Sequence, residues 1–226
     1  MNKKKVFLIL LGLMAAAVLA TGPALGADQG VLTSIQGKYQ DLTSLKASYT
    51  RTTVTPAMES VFQSSSTNTA SGTLLFKAPA KLSLDQASPR PEKMVTNGTT
   101  VWWFISEDNL VHLYPDVDVY GELKPLLDFL GGLGGLEGRY EVKVVPAGTG
   151  GEKNHRLDLK RLQESSGPSE ITAWFTANDF SLAGFKLISL TGETTTFQLG
   201  NLVVNPALED SRFTFIIPDG AQVIEE

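Results

Sequence analysis

Two hydrophobic periods alternate along the chain. Near the start, Leu32, Ile35, Tyr39 and Leu42 recur at helical spacing, which predicts an amphipathic helix over about Asp28 to Asp41 with Gly37 on its far side. From Leu45 the period becomes two. Leu45, Ala47 and Tyr49 alternate with Lys46, Ser48 and Thr50, the signature of a half-buried strand, and Pro56 interrupts it. Residues 64–70 are polar and read as a loop or strand end. Strands follow at 71–77, 81–86 and 93–96, with Leu74 and Phe76 sharing a face of the first and Leu82 and Leu84 a face of the second. Asn97-Gly98 is a strong hairpin signal, leading into the apolar strand 99–105, with 109–114 pairing back. The pattern then breaks. Leu123, Leu126, Leu127 and Leu130 form a helical stripe over 122–130, with Pro125 tolerated in the first turn. The run Gly131-Gly132-Leu133-Gly134-Gly135 after it reads either as a hinge or as a surface loop. Strands return at 140–145, 155–160, 171–176, 185–190, 194–199 and 213–217.

About eleven short strands against two or three helices predict a mainly β protein whose sheet must curl or close. No internal repeat or second domain is visible, so residues 27–226 are expected to form one domain. The two amphipathic helices could cover the concave face of a curled sheet. If side chains fill the interior, it is an ordinary core; if not, it is a cavity for an apolar ligand, and the pattern does not separate the two.

The first residues change the expected location. Lys3, Lys4 and Lys5 precede an apolar run from Val6 to Ala20, then Pro23 and the small residues Ala24 and Gly26. This is the order of a secretory signal cleaved after Gly26. A membrane anchor is the competing reading, but the run falls short of the roughly 20 apolar residues a spanning helix needs. The chain has no cysteine. It therefore cannot carry the lipidated cysteine of a bacterial lipoprotein, and after cleavage it is expected to be free outside the cytoplasm. The formal net charge is −5, and losing three lysines makes the mature chain more acidic still, which argues against nucleic acid as a partner.

No catalytic set emerges. His112 and His155 both lie in predicted strands and read as structural. No pair has metal-ligand spacing, no nucleophile elbow is present, and the glycine run lacks the lysine and hydroxyl residue of a phosphate loop. Asp116 and Asp118 could form a carboxylate pair but read better as a solvated turn. No enzyme activity, cofactor or metal is expected.

Several motifs, in order, resemble the LolA family of periplasmic lipoprotein carriers. They are the amphipathic start and the strand 44–53; Ser71-Gly72-Thr73-Leu74 leading to Lys77-Ala78-Pro79; Val95-Thr96-Asn97-Gly98 leading to Trp102; then Asn201, Phe213-Thr214-Phe215 and Pro218-Asp219-Gly220. The resemblance implies an incomplete antiparallel β-barrel with a helical lid over an apolar cavity. It further implies a periplasmic carrier that takes acylated lipoproteins from an inner-membrane ABC-type release complex and delivers them to an outer-membrane lipoprotein acceptor. The acceptor is itself lipidated, so the missing cysteine favours the carrier. A shuttle of this kind can work as a monomer.

On that reading the lipid-binding cavity and lid are expected at Leu32, Ile35, Tyr39, Tyr49, Leu74, Phe76, Leu82, Leu84, Trp103, Leu126 and Leu130. Trp103 is chosen over Trp102 because Val101 and Ile105 share its face. One position departs from the family. An arginine before the corner proline, which latches the closed lid in the best-known members, is replaced here by Ala78. Rival readings are a periplasmic sensor that binds lipoprotein or lipid, and a general lipid carrier of the same fold.

Overall fold

The structure, a computed structural model, describes residues 25–55, 68–117, 123–162, 170–189 and 192–226. Residues 1–24 of the expected signal segment, Pro56, Asp118 and the turn 165–168 lie outside them.

A single twelve-stranded sheet organises the chain. Its first half is a meander of β1 (Ser44–Val54), β2 (Asn68–Lys77), β3 (Lys81–Ser88), β4 (Glu92–Thr96), β5 (Val101–Ile105) and β6 (Leu110–Tyr114). The second is a meander of β7 (Tyr140–Val145), β8 (His155–Arg161), β9 (Glu170–Phe175), β10 (Leu182–Ile188) and β11 (Thr194–Val204). Antiparallel pairing of β1 with β11 joins the halves. A last short strand, β12 (Gln222–Glu225), adds in parallel to β6. The strand order therefore runs from β12 at one edge to β7 at the other, and the sheet curves without closing into a barrel.

The expectation of about eleven antiparallel strands is corrected at its C-terminal end. Residues 213–217 alternate Phe213, Phe215 and Ile217 as a strand would, yet they do not pair. A 3-10 turn, Asp210–Phe213, instead buries Phe213 against the convex side of the first meander. Phe215 packs on Phe104 at 5.6 Å between ring centroids. Lys77 donates to the Leu208 carbonyl at 2.8 Å and to Asp210 at 2.7 Å, fixing the same segment. This excursion explains why Val95 and Val111, on the face away from the helices, are fully buried.

The turns follow from local chemistry. Asn97 Oδ1 accepts from the Thr99 and Thr100 backbone N–H groups at 2.9 and 3.0 Å, and Gly98 takes φ +102°. Those bonds hold Thr99 and Thr100 in the turn, so β5 starts two residues later than the pattern suggested. Asn205, with φ +55°, stitches the two meanders together. Its Oδ1 accepts from Thr43 N and Ser44 N, and its Nδ2 donates to the Asp41 carbonyl.

Two helices lie against the concave face. The first, α1 (Leu25–Tyr39), begins before the expected Asp28 and buries Leu32, Ile35 and Tyr39, while Gly37 faces open space. Asp28 in its first turn and Lys38 in its last suit the helix dipole. The second, α2 (Leu123–Gly131), buries Leu126, Leu127, Phe129 and Leu130. The glycine run after it is no loose hinge. Leu133 is fully buried, and a Cβ on Gly134 would lie 2.7 Å from both the Gln40 Cα and the Tyr39 carbonyl oxygen. Glycine there lets the chain leaving α2 cross the end of α1 backbone to backbone.

Candidate functional site

The strand register decides which side chains face the helices. Directly opposed residues share a face, so Tyr49, Leu74, Leu84, Met94 and Trp103 belong to one surface, as do Leu45, Phe76, Leu82, Thr96 and Val101. From the second meander the same surface receives Phe197, Phe185, Ala173 and Leu157 in one row, and Ile171 and Leu159 beside them. Phe185 links this surface to α2. It stacks on Phe197 at 4.9 Å and meets Phe129 of α2 at 5.3 Å, while Tyr49 meets Phe197 at 5.7 Å.

Leu32, Ile35, Tyr39, Tyr49, Leu74, Phe76, Leu82, Leu84, Leu126 and Leu130 all fall in one contiguous apolar cluster between sheet and helices. Trp103 does not. It shares the concave face, as its register with Met94 and His112 requires, but it is half-buried beyond the cluster. Its indole Nε1 donates to Glu92 Oε2 at 3.0 Å and its ring stacks on His112 at 5.2 Å. Around it the concave face turns polar: Arg51 donates to Gln86 Oε1 at 3.1 Å, and Gln86 donates to the Arg90 carbonyl at 3.0 Å. The concave face is thus apolar under the helices and polar toward Trp103.

In this conformation the interior is occupied by the protein's own side chains. Leu126, Leu127, Phe129 and Leu130, with Leu133 and Leu136 beyond them, fill the space against the sheet. Phe129, Phe175, Phe185 and Phe197 were not singled out from the sequence. The alternation of Phe175, Phe185 and Phe197 with polar residues marked strands, but nothing local says which face of a strand is covered, and Phe129 lies in α2 beside the leucine stripe that was read there.

Both helices are also fastened by polar contacts. Tyr39 accepts from the buried Leu182 N–H at 2.8 Å and meets Phe175 edge-on at 6.1 Å. Burial pushes the Tyr39 phenol up to about 12, against the opposing pull of that N–H. Lys38 donates to the Asp179 carbonyl at 2.6 Å, to its carboxylate at 3.1 Å and to Ser181 Oγ at 2.7 Å. Hydrogen bonds from Ser181, Thr176 and Lys38 hold the Asp179 carboxyl well below the usual carboxylate range. The end of α2 is held by Arg139 and Arg161, both converging on Asp128. Ala78, at the position of the family's latch arginine, donates its backbone N–H to the Thr43 carbonyl at 2.9 Å and packs against the apolar cluster.

The histidines have structural partners. His112 pairs with Glu226 at 2.9 Å, and His155 accepts from Ala147 N–H at 3.0 Å while stacking on Phe180. Among the described residues no group of three or more histidine, cysteine or acidic side chains could hold a metal. Among them, too, no helix is long and apolar enough to cross a membrane.

Residues 40–216 match the family model for the outer membrane lipoprotein carrier protein LolA. The chain belongs to the LolA family. Its similarity to individual members is distant but extends over most of their length. It is 27% identical over 158 residues to an outer-membrane lipoprotein carrier protein from Idiomarina loihiensis, covering 70% of this chain and 72% of that one. It is 25% identical over 218 residues to the protein of the same name from Bordetella avium, covering 94% and 96%. Among solved structures, a LolA superfamily protein from Nitrosomonas europaea aligns over 83% of this chain and 97% of its own, at 13% identity and a TM-score of 0.44. Membership in LolA, a family of carriers, supports a carrier role for this chain.

Proposed function

We propose that this protein is a periplasmic carrier that shields the acyl chains of lipoproteins released from the inner membrane and hands them to an acceptor at the outer membrane. The observation that carries this reading is the contiguous apolar interior between the concave sheet and two helices, in a chain of the LolA family. The expected inner-membrane partner is an ABC-type release complex.

The energetics fit a carrier that must also let go. An acyl chain of roughly 15 carbons gains on the order of 12 kcal/mol when it leaves water. The leucines and phenylalanine of α2 now hold that space, and exposing each would cost about 1.5–3 kcal/mol. Cargo binding is then an exchange, with lid side chains leaving the concave face as acyl chains enter. For one acyl chain the two sides are of similar size, so returning the lid side chains to the concave face offsets much of the cost of releasing that chain to an acceptor. The polar rows near Trp103 lie where the water-soluble part of a cargo could remain solvated.

Native mass spectrometry of the protein purified from the periplasm, with lipid extraction alongside, tests this reading. A co-purifying triacylated lipoprotein is expected, and Leu82→Glu should abolish it. Phospholipid alone would favour a general lipid carrier. A ligand-free protein that also refuses added lipoprotein would show that the interior is only a core.

A further inference from the structure

Arg51 stands where the apolar part of the concave face ends. In β1 it lies opposite Phe197 on one side and the buried Ala70 on the other, and it follows Tyr49 by two residues on the same face. It therefore borders the aromatic row of Tyr49, Phe197 and Phe185. Its charge is felt there: burial pushes the Tyr49 phenol up, and the Arg51 guanidinium opposes that rise.

The side chain is half-buried and held in place. Gln86, itself buried, donates to the Arg90 carbonyl at 3.0 Å, and its Oε1 accepts from Arg51 Nη2 at 3.1 Å. The carboxylates around it are engaged elsewhere. Glu92, opposite Gln86 on the same face, accepts from Arg90 Nε at 2.6 Å and from the Trp103 indole at 3.0 Å. Asp85 belongs to the other face and lies 3.8 Å from Lys93. Among the described residues no carboxylate pairs with Arg51, so Gln86 uses part of the guanidinium's donor capacity and the charge stays uncompensated. A fixed, half-buried cation beside an apolar interior is costly alone and suits an oxyanion, which its planar fork can bind through two donors.

We propose that Arg51, oriented by Gln86, anchors the oxyanion head of an anionic lipid, a carboxylate or a phosphate, whose alkyl chain lies along Tyr49, Phe197 and Phe185. The proposal rests on the reading of the interior as an acyl-chain site and extends its ligands to anionic lipids. The acyl chains of a lipoprotein are joined through ester and amide groups, which carry no charge to balance Arg51. An anionic lipid would satisfy both parts of the site at once, with its chain under the helices and its head toward the polar rows. A mostly apolar site with a few placed polar groups is the usual way a protein fixes a ligand's direction.

The test is fluorescence titration of the protein, purified from the periplasm and delipidated, with cis-parinaric acid and with its methyl ester at about pH 8, where the acid is ionised. Wild type should bind the acid about ten-fold more tightly than the ester, the size expected of a charge-assisted hydrogen-bonded pair. In Arg51→Met the ratio should fall to about one, and in Arg51→Lys, which keeps the charge but not the fork, it should lie between. Competition then separates the head groups. Displacement of the bound acid by palmitate or by hexadecyl phosphate is expected and tells carboxylate from phosphate, while failure of both would overturn the anchor. Inorganic phosphate should not displace it; displacement as effective as that by hexadecyl phosphate would overturn the lipid ligand and leave an ion site. Equal binding of acid and ester by wild type, or an undiminished ratio in Arg51→Met, would overturn the anchor and leave the acyl-chain reading standing. Binding of neither probe by folded wild type would overturn the acyl-chain reading itself.

Discussion

Tyr39 shows how a single side chain ties α1 to the sheet. Its ring packs edge-on against Phe175, and its oxygen satisfies a buried backbone N–H of Leu182. Tyr39→Phe keeps the ring and leaves that N–H without an acceptor, which should cost about 1–3 kcal/mol in urea denaturation. The phenol also gives the fold an alkaline limit. Its pKa is about 12 when folded against 10.0 for the free group, so its contribution is complete below pH 10 and is lost as pH rises through about 12. Wild type should therefore lose more stability than Tyr39→Phe across that window, and equal losses would show that another group sets the limit. Asp179 works in the opposite direction. Its lowered carboxyl helps above the ordinary carboxylate pKa and ceases to help as pH falls through its own, but both it and Lys38 stay partly in water, so the effect is small. From the sequence alone the helical stripe identified Tyr39 as inward-facing. Its hydrogen bond to a residue 143 positions away was not legible, because no local pattern encodes it.

At the scale of elements, the helices and most strands were legible because burial imposes a period on them. Leu32, Ile35 and Tyr39 of α1 and Leu126, Leu127 and Leu130 of α2 face the core as their spacing predicted, and Trp103 shares the face of Val101 and Ile105 but lies beyond the apolar cluster. Legibility failed where packing between distant segments overrides local pattern. The alternation of Phe213 and Phe215 looked like pairing, but it serves a segment laid over the convex face. The glycine run after α2 looked like a flexible joint. It is a tight crossing that admits no side chain at Gly134. Gly134→Ala forces apart two backbones that cannot yield as a side-chain tip would. It should destabilise the protein by about 2 kcal/mol or more, measured by thermal or urea unfolding. Gly135, which has open space where its Cβ would go, provides the control, and Gly135→Ala should be nearly neutral. Equal effects of the two would mean that backbone freedom, and not the crossing, explains the glycines.

Among the described residues the molecule is a curved, open sheet with two helices against its concave face and the C-terminal segment over part of its convex face. The sequence could not decide whether the interior was filled or empty. Among the described residues the space between sheet and helices is occupied by side chains of α2 and the strands, and the proposed carrier role makes cargo binding an exchange with those side chains. The most direct test of that exchange is site-specific photo-crosslinking in the exporting cell. A benzophenone side chain would replace Tyr49 on the concave face or Trp102 on the convex one, each an aromatic position. Acylated lipoprotein crosslinked at position 49 and not at 102 is the predicted result. Crosslinks at 102 alone, or none at 49 in a folded protein, would contradict a role for the interior in carrying acyl chains.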